Sequence, residues 1–477
     1  MQLFIKNFGP IKKGNIDLSK KFYVFVGKNN SGKTYLSQLL WCIFNEETID
    51  QFAQSVHVEG LSVSENLLEI TPALLDSILD NFARFLTDDI IPKQFNIEKN
   101  APILEKLVIA FQYSLEKIRA QTLETVYGTP PQNGKLFFIS KSIDSMALKI
   151  ESQNVDNLPK NNLGKDNPLL EASLVTSILR LVFNSVHHTF FLPASRIFFP
   201  IFYYYIFKID REDNKKISQQ LADYLEKLKN SDKLNLQELH LVKRPYNELM
   251  GKLFEKINEL WETSKPNSHY ANLVAEMRQI MGGDIVLSSV AGISPIDIYF
   301  KMSQQAGNDL PMYLSSSAVN QLTTLYLYFQ YWAKADNNFL MVDEPEENLH
   351  PQNQIALCNA LLKFVKLNNN RVLINTHSPL MAENINNYLY LHILKAQYDL
   401  NIEDILTDNE LNLRTDIAIS PEELGVYFFN GKEIISYEAE DYGVYFRDFQ
   451  KVAEEVKKSG QILTDYIYLK EHDNVLD

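Results

Sequence analysis

The residues Gly27-Lys28-Asn29-Asn30-Ser31-Gly32-Lys33-Thr34 fit the spacing G-x-x-x-x-G-K-[ST], which suits the binding of phosphate groups. Gly27 and Gly32 let the backbone curl so that successive N–H groups, with Asn29, Asn30 and Ser31 between them, face phosphate oxygens. Lys33 brings positive charge to the outer phosphates, and Thr34 offers a hydroxyl to Mg²⁺. The other residues able to do chemistry lie far along the chain. Asp343 and Glu344 end the apolar run Phe339-Leu340-Met341-Val342. Asp343 is placed to share a Mg²⁺ shell with Thr34. Glu344 is placed to orient or deprotonate an attacking water. His377 follows a second apolar run, Val372-Leu373-Ile374. Ser315, Ser316 and Ser317 open a helix, where N–H groups and hydroxyls could receive a phosphate, although a serine there is ordinarily a cap.

The elements that must position these groups are legible. Phe22-Tyr23-Val24-Phe25-Val26 reads as a strand delivering the phosphate loop. Tyr35–Trp41 reads as the helix that follows it. Short strands are expected at Leu3–Ile5, Ile16–Leu18, Lys135–Ile139, Met146–Ile150, Thr189–Leu192, Ile285–Leu287 and Ile296–Phe300. Helical spacing runs through much of 36–118, including Leu74–Leu79 and Leu104–Leu115, and again through Leu169–Phe183 and 210–282. One helix is expected near Phe446–Lys457.

Lys and Arg number 46 against 60 Asp and Glu, giving a net charge of −14. That balance disfavours a surface devoted to nucleic acid. Hydrophobic residues make up 45% of the chain and charged ones 22%, the composition of a soluble globular protein. The two cysteines, Cys42 and Cys358, exclude a disulfide scaffold and fit a reduced cytoplasmic setting. No signal peptide is visible. The aromatic run Ile197–Phe207 is too short to span a bilayer and is broken by Pro200, so no membrane role is expected.

Taken in order, the phosphate loop, the serine-rich segment Leu314-Ser315-Ser316-Ser317-Ala318, the Asp343-Glu344 pair, the loop Glu346-Glu347-Asn348-Leu349-His350-Pro351 and His377 resemble an ABC-type ATPase of the SMC/RecF/OLD clade. The opening Ile5-Lys6-Asn7-Phe8-Gly9-Pro10-Ile11 and the element Leu192-Pro193-Ala194-Ser195-Arg196 are similar to the stand-alone ATPases of bacterial anti-phage systems, among them the Septu, retron-associated and PARIS ATPases. The resemblance implies an α/β P-loop NTPase head, a mixed sheet flanked by helices, with two helical insertions. It implies ATP and Mg²⁺ as ligands. It also implies Lys33 and Thr34 on phosphate and Mg²⁺, Asp343 on Mg²⁺, Glu344 as catalytic carboxylate and His377 as γ-phosphate sensor. Ser315 and Ser316 would contact the ATP of a second copy, with Asn348 and His350 across the same interface. The serine segment departs from the family pattern, which favours glycine after the first serines. That departure makes holding ATP as credible as rapid turnover, and the register of the serines is open by one residue. A glutamine loop is not placed.

The expected organisation is an ATPase head built from 1–49, 128–209 and 283–395, helical insertions at 50–127 and 210–282, and a small C-terminal α/β region at 396–477. The first functional expectation is an ATPase that dimerises head-to-tail around ATP and regulates a separate effector, such as an HNH or toprim nuclease, in anti-phage defence. Glu438, Glu440 and Asp441 read as a solvated loop rather than a nuclease centre, and two cysteines cannot build a zinc or HNH-type motif. The alternative is a DNA-repair or chromosome-organising ATPase of RecF or SMC type. The long stretch between Thr34 and Ser315 argues against the nucleotide-binding subunit of a transporter.

Overall fold

The structure is a computed structural model of the chain. It describes all residues except 59–60, 100, 103, 105, 129–135, 154–166, 185–187, 202–247, 261–264, 268, 289–296, 304–308, 398–400, 438–443, 445, 447–448, 450, 452–453, 456 and 465–477. The outer half of the aromatic run 197–207, most of the second expected insertion and much of the expected Phe446–Lys457 helix lie outside the described residues. So do Glu438, Glu440 and Asp441.

Six strands form the central sheet: β3 (Phe22–Gly27), β9 (His188–Leu192), β13 (Asn338–Asp343), β14 (Arg371–Asn375), β15 (Leu424–Phe429) and β16 (Ile434–Tyr437), in the order β16-β15-β3-β14-β13-β9. Pairing is parallel except for the terminal β15–β16 hairpin, so the sheet is mixed. Its strands read as continuous apolar runs because both faces are covered. On β3, Tyr23 and Phe25 face one hydrophobic layer, while Phe22, Val24 and Val26 face the other. The first layer holds the helices Lys33–Phe44, Pro72–Phe85 and Pro168–Val182. The second holds Ala271–Met281, Ser317–Leu327, Pro351–Lys366 and Pro379–Gln397. The expected fold class, a mixed sheet flanked by helices, is the one observed.

Three smaller antiparallel sheets surround this core. β1 (Gln2–Phe8) pairs with β2 (Ile11–Asp17) and with β5 (Val108–Gln112). β4 (Leu67–Glu69), β8 (Ala147–Gln153), β7 (Leu136–Lys141) and β6 (Leu123–Gly128) form a four-stranded sheet. β10 (Gly283–Ser288), β11 (Asp297–Met302) and the two-residue β12 (Leu310–Pro311) form the third and lead directly into Ser315.

Two expectations need correcting. Segment 50–127 is only partly helical, since it carries β4, β5 and β6. Within it Leu104–Leu115 does not form a helix: Val108–Gln112 aligns with Lys6–Gln2 of β1, burying Ile109 and exposing Val108. A short apolar run satisfies either period, and here pairing to a waiting strand edge decided it. The C-terminal region also does not stand apart, because β15 lies directly against β3. Among the described residues no helix is long and apolar enough to cross a membrane.

Candidate functional site

β3 ends at Gly27, and the helix Lys33–Phe44 starts behind Gly32, so the phosphate loop sits at the carboxyl end of the sheet. Both glycines take positive φ, +139° and +104°. A Cβ on Gly27 would lie 2.3 Å from the Phe429 carbonyl oxygen of β15. A Cβ on Gly32 would meet Ile11 at 2.7 Å. Gly27→Ala is therefore expected to lower folding stability by roughly 3 kcal/mol through backbone strain and overlap. A denaturant midpoint equal to that of the parent would contradict the close approach of β15.

Within the loop Asn29 and Asn30 are exposed, Asn30 has a φ of +57°, and Ser31 is buried with no hydrogen-bond partner for its hydroxyl. Lys33 is 6% exposed, and its Nζ donates to the carbonyls of Gly27 at 2.9 Å and Lys28 at 3.1 Å. Burial lowers the Lys33 pKa, opposed by the charges of Asp343, Glu344 and Glu346.

The acidic residues come from β13, two strands away from β3. Thr34 Oγ1 donates to Asp343 Oδ2 at 3.0 Å. Asn375 Nδ2, at the end of β14, donates to Asp343 Oδ1 at 2.8 Å. Ser37 Oγ lies 2.9 Å from Asn375 Oδ1. The paired hydroxyl and carboxylate oxygens of Thr34 and Asp343 form a hard-oxygen donor set that fits Mg²⁺. Asn375 braces this pair. The sequence alone assigns it no role, because a polar residue at the end of a buried strand looks like an ordinary terminus.

Glu344 adopts φ +47°, and its N–H donates to the Asn375 carbonyl at 2.9 Å. The Glu344 carboxylate lies 3.8 Å from His377 Nε2. Burial and then the Asp343 charge raise the Glu344 pKa. Burial and then Lys33 lower that of His377. The sequence gives Glu346 only a place in the loop Glu346–Pro351. It instead accepts the His377 backbone N–H at 2.6 Å, and burial raises its pKa. Beyond it, Asn348 and His350 are exposed, with His350 capping the helix Pro351–Lys366.

The structure therefore brings Gly27–Thr34, Asp343, Glu344 and His377 to one end of the sheet. Ser315 and Ser316 make no hydrogen bond or ion pair to them among the described residues. Ser315 Oγ donates to the Met312 carbonyl at 2.7 Å, and Ser316 caps the helix Ser317–Leu327 by accepting from Val319. Ser316 and Ser317 are exposed, and the residues before this serine run, Tyr313 and Leu314, are 69% and 62% exposed. Beside the loop an apolar cavity of about 210 Å³ opens between Lys28 and His377, walled by Phe428, Tyr437, Phe446 and Phe449.

The family model described as AAA ATPase domain matches residues 1–382. No curated protein matches the chain. Among solved structures, the Smc head bound to the C-winged helix domain of ScpA aligns at 12% identity and a TM-score of 0.35, covering 92% of this chain and 97% of that one. The Smc head domain with an extended coiled coil bound to the C-terminal domain of ScpA, derived from Pyrococcus furiosus, aligns at 13% identity and a TM-score of 0.31, over 96% and 98%. The SMC head domain from Thermotoga maritima aligns at 12% identity and a TM-score of 0.28, over 92% and 98%.

Proposed function

The chain belongs to the AAA ATPase domain family, and from that premise we propose that it binds and hydrolyses ATP between two copies of itself arranged head to tail. In this reading the phosphates lie along Gly27–Thr34, whose N–H groups and Lys33 neutralise them. Thr34 and Asp343 hold Mg²⁺, which when bound would neutralise charge on the outer phosphates. Glu344 accepts a proton from the attacking water, and His377 marks the position of the γ-phosphate.

One observation carries the head-to-tail arrangement. The helix start at Ser316 and Ser317 is exposed, follows exposed Tyr313 and Leu314, and makes no hydrogen bond to the chain's own phosphate loop among the described residues. Large exposed apolar side chains beside a helix N-terminus suit a protein interface that also receives an anion. A second copy could bring that surface to the loop, with Asn348 and His350 at the same seam. The assembly would then govern a separate effector, a nuclease or toxin, in anti-phage defence, as the motif resemblance suggests.

The test is sedimentation with Mg²⁺ and ATP against Mg²⁺ and ADP. ATP should double the mass, and specific activity should rise with protein concentration. Full activity from a monomer at saturating ATP would overturn the arrangement. Co-purification from the native host without a nuclease or toxin would count against the effector.

A further inference from the structure

Arg196 is 1% exposed and lies in the short turn Ala194–Phe198 that follows β9. In the sequence this segment stands out only through a resemblance. Its guanidinium donates to four main-chain carbonyls: Nη1 to Pro193 at 3.1 Å and to Asp343, Nη2 to Glu344 at 2.9 Å, and Nε to Gln321 at 3.3 Å. None of these described bonds goes to a carboxylate, although Asp343, Glu344, Glu346 and Glu347 all act on its charge. Burying an arginine away from water is costly unless its donors are satisfied. Here the rigid fork of the guanidinium is spent on backbone geometry.

We infer that Arg196 is a positioning residue that locks the backbone of Glu344 for attack on the γ-phosphate and ties that backbone to the serine-capped helix. The inference rests on the reading of Glu344 as the proton acceptor. Glu344 sits in the left-handed region, which a non-glycine residue occupies only when its surroundings hold it there. The Asn375 carbonyl holds its N–H, and Arg196 holds its carbonyl and the one before it. The fourth carbonyl, that of Gln321, belongs to the helix capped by Ser316. A second tie runs parallel, because Gln321 Nε2 donates to Glu347 at 3.3 Å. A shift of that helix on meeting a phosphate therefore reaches Glu344 directly through the Arg196 side chain, with the Gln321–Glu347 bond beside it. Lysine keeps the charge but concentrates its donors on one nitrogen, so it cannot span four carbonyls.

The experiment measures Mg²⁺–ATP turnover and the binding of a non-hydrolysable ATP analogue in the full chain carrying Arg196→Lys, Arg196→Gln, Glu344→Gln, and Arg196→Lys with Glu344→Gln. Arg196→Lys should lower kcat about 10²-fold, the scale of a small misplacement of a catalytic group, with analogue affinity unchanged. On the Glu344→Gln background it should cost nothing further, since both changes act through one group. Unchanged kcat in Arg196→Lys overturns the inference. So does an equal further loss on the Glu344→Gln background, which would show an effect independent of Glu344. If neither Arg196 variant folds or binds the analogue, Arg196 is a packing element and the inference also fails. A fully active Glu344→Gln refutes the assignment of Glu344 itself, an outcome distinct from a failure of Arg196 alone.

Discussion

Replacing Glu344 with glutamine is expected to slow ATP hydrolysis by roughly 10²–10⁴-fold, the contribution of a positioned general base, while leaving ATP bound. Glutamine keeps the shape of the side chain and its backbone anchors to Asn375 and Arg196. It removes only the ability to accept a proton. Single-turnover hydrolysis with a parallel measurement of nucleotide affinity separates the two effects. A variant as fast as the parent would remove Glu344 from the chemistry. The pH dependence follows from the same group. The active form of Glu344 is the deprotonated one. Burial and Asp343 raise its pKa above the ordinary 4.5, so the acid limb of kcat/KM in the parent should fall at a higher pH than a free carboxylate would give. His377 moves the other way, below its ordinary 6.5, because burial and then the Lys33 charge disfavour its cationic form. A parent rate that stays flat down to pH 4.5 would be incompatible with this assignment.

Lys33→Ala should weaken ATP binding by roughly 10²–10⁴-fold, the loss of one or two charge-assisted hydrogen bonds in a shielded site. The Lys33 ammonium is held against the Gly27 and Lys28 carbonyls at the mouth of the loop, so it needs little reorganisation to reach a phosphate. Its neighbours Asp343, Glu344 and Glu346 would repel the polyanion if it were removed. Calorimetric titration with Mg²⁺–ATP reads the loss, and the thermal midpoint of the nucleotide-free protein should stay close to that of the parent. Equal affinity in the variant would mean that Gly27–Thr34 is not the nucleotide cradle.

Much of this site is legible in the sequence, for a local reason. The phosphate loop needs particular residues at fixed spacing within eight positions, and the strands that deliver Gly27, Asp343 and His377 are apolar on both faces and so stand out as runs. The supporting contacts are not local. Arg196 reaches carbonyls of residues 343 and 344, and nothing about an arginine after Ala194-Ser195 states that its partners will be main-chain oxygens. Asn375 and Glu346 act through single hydrogen bonds to Asp343 and to the His377 N–H. Such bonds leave no periodicity in the chain. β5 escapes a sequence reading because Leu107-Val108-Ile109-Ala110-Phe111 fits two periods equally well, and only the open edge of β1 selects between them.

The place of β15 in the sheet has a consequence for how the protein is made. The strand that carries the phosphate loop has two neighbours, β14 on one side and β15 on the other. Both lie in the last third of the chain. During synthesis at about 5–20 residues per second, the apolar strand Phe22–Val26 leaves the ribosome roughly 20–70 s before the first of its partners is complete. For that interval its backbone N–H and C=O groups have no native strand to pair with. Until it closes, the hairpin of β1 and β2 and the first-layer helices can shelter the face that carries Tyr23 and Phe25 but not the strand's edges. The nucleotide cradle is thus among the first parts of the molecule to be translated and among the last to be finished.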